Sequence, residues 1–325
     1  MKALIICCSS KDIGIGHLSR SKILLNLLEK NLGWNVKILL LSDKNEQSIL
    51  NQSNTNFLDI NENIETYIER KKLSYDIIFF DFHPEIVPVK FTKLLTNLRN
   101  KGTKLVSIDC LTTYRKFLDL IIIPSFFVEQ SKLFSDGCPI LYGWRYLIIN
   151  PEIKKKKWQY GNKVLILSGG SDVQNLGATL PKYLDDKLPK ETIVDWVSGP
   201  YSSKPNFNDC NRIKINHHIA PKDIIELIEN TNYAITLYGI SFFELLFAGV
   251  PTVVFSGIKN KDTKQLEIIK KNNIALVAYD QYNAVEFLCS LLNDNKMCAS
   301  LRFNTEKFIN LVDNLKLIEA IKKIL

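Results

Sequence analysis

The stretch "LIICCSSKDIGIGHLSR", Leu4–Arg20, passes from a strand signal to a helix signal across two glycines. Leu4–Cys8 is apolar at every position, which fits a strand covered on both faces of a parallel sheet better than a half-solvated one. Gly14 and Gly16 permit a tight turn, and the apolar spacing from Leu18 to Leu32 is that of an amphipathic helix. A buried strand, a glycine turn and a helix open a doubly wound α/β domain.

The same alternation runs outward along the chain. Apolar runs of strand length follow at Val36–Leu41, Ile77–Phe80, Leu105–Ile108 and Leu120–Ile123, with helical periodicity between them, as at Phe91–Asn100. "LIINPEIKKKKWQYGN", Leu147–Asn162, interrupts it with a proline, a lysine run and a glycine. Strands are then expected at Val164–Leu167, Ile193–Val197, Ala234–Leu237, Thr252–Phe255 and Ala275–Ala278. Helices are expected at Asn175–Asp185, Lys222–Asn230, Phe242–Ala248, Lys264–Asn272 and Ala284–Leu292, and from Ala299 to the end. The fold class is therefore α/β, with two doubly wound Rossmann-like domains, residues 1–149 and 150–303, followed by a helical segment 304–325. Ligands of such sheets bind beyond the carboxyl ends of the strands, so two of them facing each other would share one cleft.

Composition narrows the function. With 325 residues, 46% of them hydrophobic, the chain can bury a large core. No apolar run reaches the roughly 20 residues of a membrane span. The opening "MKALIICC" is too short for a signal peptide, and the expected location is cytoplasmic. The seven cysteines are odd in number and lack C-x-x-C spacing, so they read as reduced structural thiols rather than disulfides or zinc ligands. Cys7 and Cys8 point to opposite faces of one strand and cannot share a metal. The net charge of +8 reflects either a bias toward lysine or an anionic partner such as a nucleotide. The run "KKKKW", Lys154–Trp158, reads as a solvated face; without aromatic residues interleaved among basic ones it is not a nucleic-acid site.

Three loops can carry chemistry. In "GIGHLSR", Gly14–Arg20, the third glycine of a dinucleotide fingerprint is replaced by Ser19, and Asp43 stands about where a ribose-binding acid would. His17 falls at the start of the first helix, where the helix dipole disfavours an imidazolium; it is either a general base or a cap. Arg20, on the same face, suits a phosphate or a surface acid. The second loop, "LSGGSDVQN", Leu167–Asn175, has a strand, two glycines and a helix start in the arrangement that cradles phosphate. The third, "LYGISFFELLFAGVPTVVF", Leu237–Phe255, holds Ser241 and Glu244 at capping-box spacing. Alternatively, the N–H groups around Ile240 receive phosphate and Glu244 receives a ribose diol. Asp81, His83 and Asp109 end strands and face the expected cleft. His217 and His218 read as a loop pair, and the absence of any Asp-x-Asp argues against a metal-bridged diphosphate of that type.

Taken together and in order, G-x-G-H-x-x-R, G-G-S-D-x-x-N and G-x-S-x-x-E-x-x-x-x-G-x-P resemble the GT-B superfamily. The chain is most similar to the UDP-sugar hydrolases of pseudaminic acid biosynthesis and the related spore-coat polysaccharide proteins, relatives of the glycosyltransferase that completes lipid II. The resemblance implies that His17 acts near the anomeric carbon. From their places on the loops and strand ends of the first domain, Gly14, Gly16, Arg20, Asp81, His83 and Asp109 are expected to bind substrate on the sugar side. The resemblance maps binding of the nucleotide diphosphate onto Gly169, Gly170, Ser171, Ser241 and Glu244, and Asn175, Gly239 and Ile240 of the same loops are expected to share it. It further implies inverting attack of water on a UDP-linked diacetamido-trideoxy sugar without metal or cofactor, and a last helix that crosses back to the first domain. Cys110, Asn150 and the pair Lys261–Asp262 depart from the family's pattern where sugar substituents are read. Three alternatives stay open: a glycosyltransferase with the same donor loops, whose basic surface would suit peripheral membrane contact; a non-catalytic nucleotide-sugar binding protein; and a nicotinamide oxidoreductase resting on Asp43.

Overall fold

The computed structural model describes residues 1–44, 54–71, 74–83, 91–125, 127–128, 137–221, 223–257 and 262–325. The chain divides into two compact units, Met1–Ile148 with Val312–Leu325, and Ile149–Leu311.

The first unit contains β1 (Lys2–Cys8), α1 (Gly16–Leu32), β2 (Asn35–Ser42), β3 (Thr55–Asp59), α2 (Ile64–Arg70), β4 (Ile77–Asp81), α3 (Phe91–Asn100), β5 (Lys104–Ile108), β6 (Leu120–Ile123) and β7 (Ile140–Tyr142). Its strands pair in the order β3-β2-β1-β4-β5-β6-β7, and every pairing is parallel. Cys7 and Cys8, on opposite faces of β1, are both fully buried, because both faces of the sheet are covered. All seven cysteines are free.

The second unit contains β8 (Lys163–Leu167), α4 (Leu176–Lys187), β9 (Ile193–Ser198), β10 (Lys214–Ile219), α5 (Ile225–Asn230), β11 (Tyr233–Leu237), α6 (Ile240–Ala248), β12 (Thr252–Phe255), α7 (Thr263–Lys271), β13 (Leu276–Val277), α8 (Gln281–Asn293) and α9 (Asn295–Ile309). These strands pair in the order β10-β9-β8-β11-β12-β13, again all in parallel. Pro181 lies inside α4 and cannot donate to the Gly177 carbonyl. Asn206 N–H fills that place at 2.9 Å, tying the 199–208 loop to the helix.

Four expectations are corrected. The tail is two helices rather than one: α9 ends at Ile309, and Asp313 caps α10 (Asn314–Lys322) through the Leu315 and Lys316 N–H groups. Leu317 and Ile321 of α10 are fully buried as the helix packs on α1 and the Trp144–Tyr146 turn of the first unit. His217 and His218 lie on strand β10, not in a loop. The Lys154–Trp158 run is not simply a solvated face. Lys156 Nζ donates to the Ile228, Glu229 and Thr231 carbonyls at the end of α5, and Trp158 Nε1 donates to Asn232 O at 2.7 Å. The helix expected from Lys222 starts at Ile225; Lys222 itself lies outside the described residues, as does Lys261. Among the described residues, no helix is long and apolar enough to cross a membrane.

Candidate functional site

In each sheet the strand order reverses once, at β1/β4 in the first unit and at β8/β11 in the second. The crevice at such a reversal is where doubly wound sheets take ligands. The loops singled out in the sequence follow these four strands.

In the first unit, the loop after β1 is pinned on itself. Gly14 N–H donates to Ser10 O at 2.7 Å, Ile13 N–H to Ser10 Oγ at 3.2 Å and Ser9 Oγ to Gly14 O at 3.1 Å. Gly14 closes this loop at φ 77°, a left-handed conformation that suits glycine. Helix α1 then starts at Gly16 without a side-chain cap, and His17 is its second residue. His17 Nδ1 lies 2.6 Å from Asp81 Oδ1, at the end of β4. Arg20, one helical turn along the same face, donates through Nε to Asp81 Oδ2 at 2.9 Å and through Nη2 to Oδ1 at 2.5 Å. Asp81 is 0% exposed, whereas the His17 side chain is 19% exposed.

A carboxylate can only accept. A neutral His17 ring therefore carries its proton on Nδ1 and offers Nε2 as the lone pair. Burial pushes the Asp81 carboxyl up, but the Arg20 guanidinium and His17 outweigh it and hold the carboxyl at about 2. Asp81 and Arg20 were expected to meet substrate; instead the buried carboxylate is taken up by His17 and Arg20, and the two residues form a support under the imidazole.

The remaining first-unit candidates gather nearby. The His83 ring stands perpendicular to His17 with centroids 6.4 Å apart, and the His83 backbone N–H donates to Cys8 Sγ at 3.3 Å. Asp109, just after β5, is exposed at φ 58° and donates its N–H to Ile122 O at 2.8 Å. Cys110, singled out as a departure in a sugar-reading position, turns inward; its thiol faces Phe80 O at 3.3 Å and burial pushes it up to about 12. Asn150 accepts the Glu152 N–H at 3.1 Å in a local turn.

In the second unit, the Gly169–Gly170–Ser171 loop turns its carbonyls toward the end of β9. Tyr201 N–H donates to Gly170 O at 3.0 Å. A Cβ on Gly199 would stand 2.3 Å from both the Gly169 and Gly170 carbonyl oxygens, so the packing requires glycine there. Among the described residues, the Gly169, Gly170 and Ser171 N–H groups donate to no acceptor. The helix behind them is different. Asp172 Oδ1 and Oδ2 accept the Leu176 and Gly177 N–H groups, each at 2.8 Å, so the start of α4 already holds an anion. Of the two, the α4 terminus is occupied and the loop amides are open. Asn175 is exposed at φ 52° as the N-cap of α4 and makes no side-chain cap bond.

Helix α6 starts openly. Its N-cap is Gly239, without side-chain capping; Phe242 and Phe243 N–H donate back to Gly239 O. Among the described residues, the N–H groups of Gly239, Ile240 and Ser241 have no acceptor. The Ser241–Glu244 capping box does not form, since Ser241 lies inside the helix. Glu244 is 7% exposed, has no hydrogen-bond donor against it among the described residues, and burial pushes it up to about 7. Leu237 lies between the two loops, 3.4 Å from Cβ positions built on Gly169 and Gly257, and Gln174 Nε2 donates to Gly257 O at 2.6 Å. Asp262 accepts from Ser256 Oγ at 2.9 Å.

A pairing in the second unit also escaped sequence reasoning. His217 Nε2 lies 2.9 Å from Ser198 Oγ, at the ends of β10 and β9. Only the neighbouring polar residues of an edge strand marked it.

No family model matches the chain. An uncharacterized protein of Methanocaldococcus jannaschii is 27% identical over 280 residues, 78% of this chain and 55% of that protein; the chain thus spans about half the length of this curated relative. Acinetobacter baumannii MurG superposes with a TM-score of 0.63 at 13% identity, over 99% of this chain and 100% of that one. Phytolacca americana UGT2, solved with UDP-2-fluoro-glucose and pterostilbene, gives 0.64 at 13% identity over 99% of both chains. The spinosyn forosaminyltransferase SpnP gives 0.64 at 11% identity, over 100% of this chain and 99% of that one. With two parallel-sheet α/β units and these neighbours, the chain has the GT-B fold of two Rossmann-like domains.

Proposed function

We propose that the protein is a nucleotide-sugar-dependent glycosyltransferase in which His17 is the general base. The single observation that carries this reading is the His17–Asp81 pair, a base whose tautomer is fixed by a buried carboxylate at the sheet's switch point. Nε2 takes the proton of an acceptor hydroxyl as its oxygen bonds to the anomeric carbon, and the nucleotide diphosphate leaves with the electron pair. Direct displacement of this kind inverts the anomeric centre. The leaving group needs charge stabilisation more than protonation. The open N–H groups of Gly169–Ser171 and Gly239–Ser241 are suited to it, and the unpartnered Glu244 carboxylate is suited to a ribose diol. The fold likeness to MurG, UGT2 and SpnP supports the same class of donor.

The order of the three sequence motifs favours a second reading, in which water replaces the acceptor and a UDP-linked diacetamido-trideoxy sugar is hydrolysed. One experiment separates them: incubation with UDP-, CDP- and GDP-sugars, following nucleotide release with and without candidate acceptors. Acceptor-dependent release supports transfer. Release of free sugar without acceptor supports hydrolysis. Tight nucleotide binding with no release in any mixture overturns both.

A further inference from the structure

Asp81 is shared between two nitrogen donors, the His17 ring and the Arg20 guanidinium. The carboxylate meets the imidazole with one bond at 2.6 Å and the guanidinium with two, at 2.9 and 2.5 Å. The guanidinium also stands 3.4 Å from His17 Nδ1, where two donors face each other and added positive charge on the ring is opposed. An Asp–His pair alone would draw the ring toward the imidazolium, which cannot accept a proton. A base therefore needs the carboxylate's direction more than its charge.

We propose that Arg20 is a positioning residue that takes up most of the Asp81 charge, so that the carboxylate directs the His17 proton to Nδ1 while leaving the ring able to act as a base. This rests on the reading of His17 as the base. The other titratable groups around the trio leave that balance intact. Cys8 on β1 and Cys110 after β5 are pushed up by burial, to about 11 and about 12, and stay uncharged. His83 follows β4, 6.4 Å away by ring centroids. Asp109 acts on Arg20 and adds to the hold on its cation. Arg20 is itself only 12% exposed, so solvent screens the arrangement weakly.

The test needs no substrate. The chain has four histidines, and their ring nitrogens can be followed by ¹⁵N NMR in the free protein, with H17A to assign His17. In the wild type, neutral His17 is expected as the Nδ1–H tautomer. R20Q, which removes the guanidinium from Asp81 and from beside Nδ1, is expected to raise the His17 titration midpoint above that of the wild type. R20K keeps the charge and is expected to stay near the wild type. An Nε2–H tautomer in the wild type, an R20Q midpoint no higher than the wild type, or an R20K midpoint above the wild type overturns the proposal. If R20Q fails to fold, as judged by circular dichroism, the wild-type tautomer and the R20K midpoint decide it. Absence of turnover on every nucleotide sugar would defeat the transferase reading and leave this result standing.

Discussion

At Glu244 a carboxyl group buried to 7% exposure lacks any donor among the described residues, and burial raises it to about 7. A group whose folded pKa lies above its unfolded value adds stability at low pH and loses it as pH rises through the folded value. Wild-type stability is therefore expected to fall between about pH 5 and about pH 8, and E244Q, which cannot charge, is expected to lack that part of the slope. Melting temperatures across this range check it; parallel profiles would mean that the carboxyl has a partner in solution. A bound diol would supply two donors and favour the charged form. His17 carries a different expectation. General-base assistance contributes roughly 10²–10⁴ in rate, so H17A is expected to lose turnover by that order while keeping nucleotide affinity, measured by calorimetry against steady-state rates.

The elements divide by how much of each strand is covered. Interior strands such as β1, β4, β8 and β12 are legible in the sequence because a strand buried on both faces is apolar throughout. β3, β7 and β10 lie at sheet edges, where one side is solvated and no apolar run is needed, so "TNFLD", "ILY" and "KINHHI" carry no comparable signal. The glycine loops were legible for the same local reason: the chain must turn there. Their partners were not. His17 and Asp81 are 64 residues apart, and only strand order brings them together. The S-x-x-E spacing misled because Gly239, not Ser241, takes the N-cap. At this scale Gly199 is the sharpest test, since a Cβ there would press the Gly169 and Gly170 carbonyls at 2.3 Å. G199A is expected to displace the loop and weaken UDP binding at least tenfold, while losing about 1–3 kcal/mol of stability from overpacking. Calorimetric affinity and denaturant melts check both; unchanged affinity would remove the Gly169–Ser171 loop from nucleotide binding.

Across the whole molecule, the chain leaves its first unit near Ile148 and returns to it at Val312. α10 buries Leu317, Ile318 and Ile321 there, side chains worth about 1.5–3 kcal/mol each when fully buried. A chain ending at Leu311 is therefore expected to lose hydrogen-exchange protection in α1 and β1 while β8 and β11 keep theirs; equal loss in both units would mean that they unfold as one. The central claim of the proposal assigns a separate task to residues of each unit: open backbone amides of the second are suited to a diphosphate, and the imidazole of the first is suited to act as the base. The most direct test is titration of the ¹⁵N-labelled protein with UDP. The amides of Gly169–Ser171 and Gly239–Ser241 are expected to shift together and saturate together, with Leu176 and Gly177 changing little because Asp172 already holds them. Saturable UDP binding that leaves both sets of amides unmoved, or no binding at all, would contradict it.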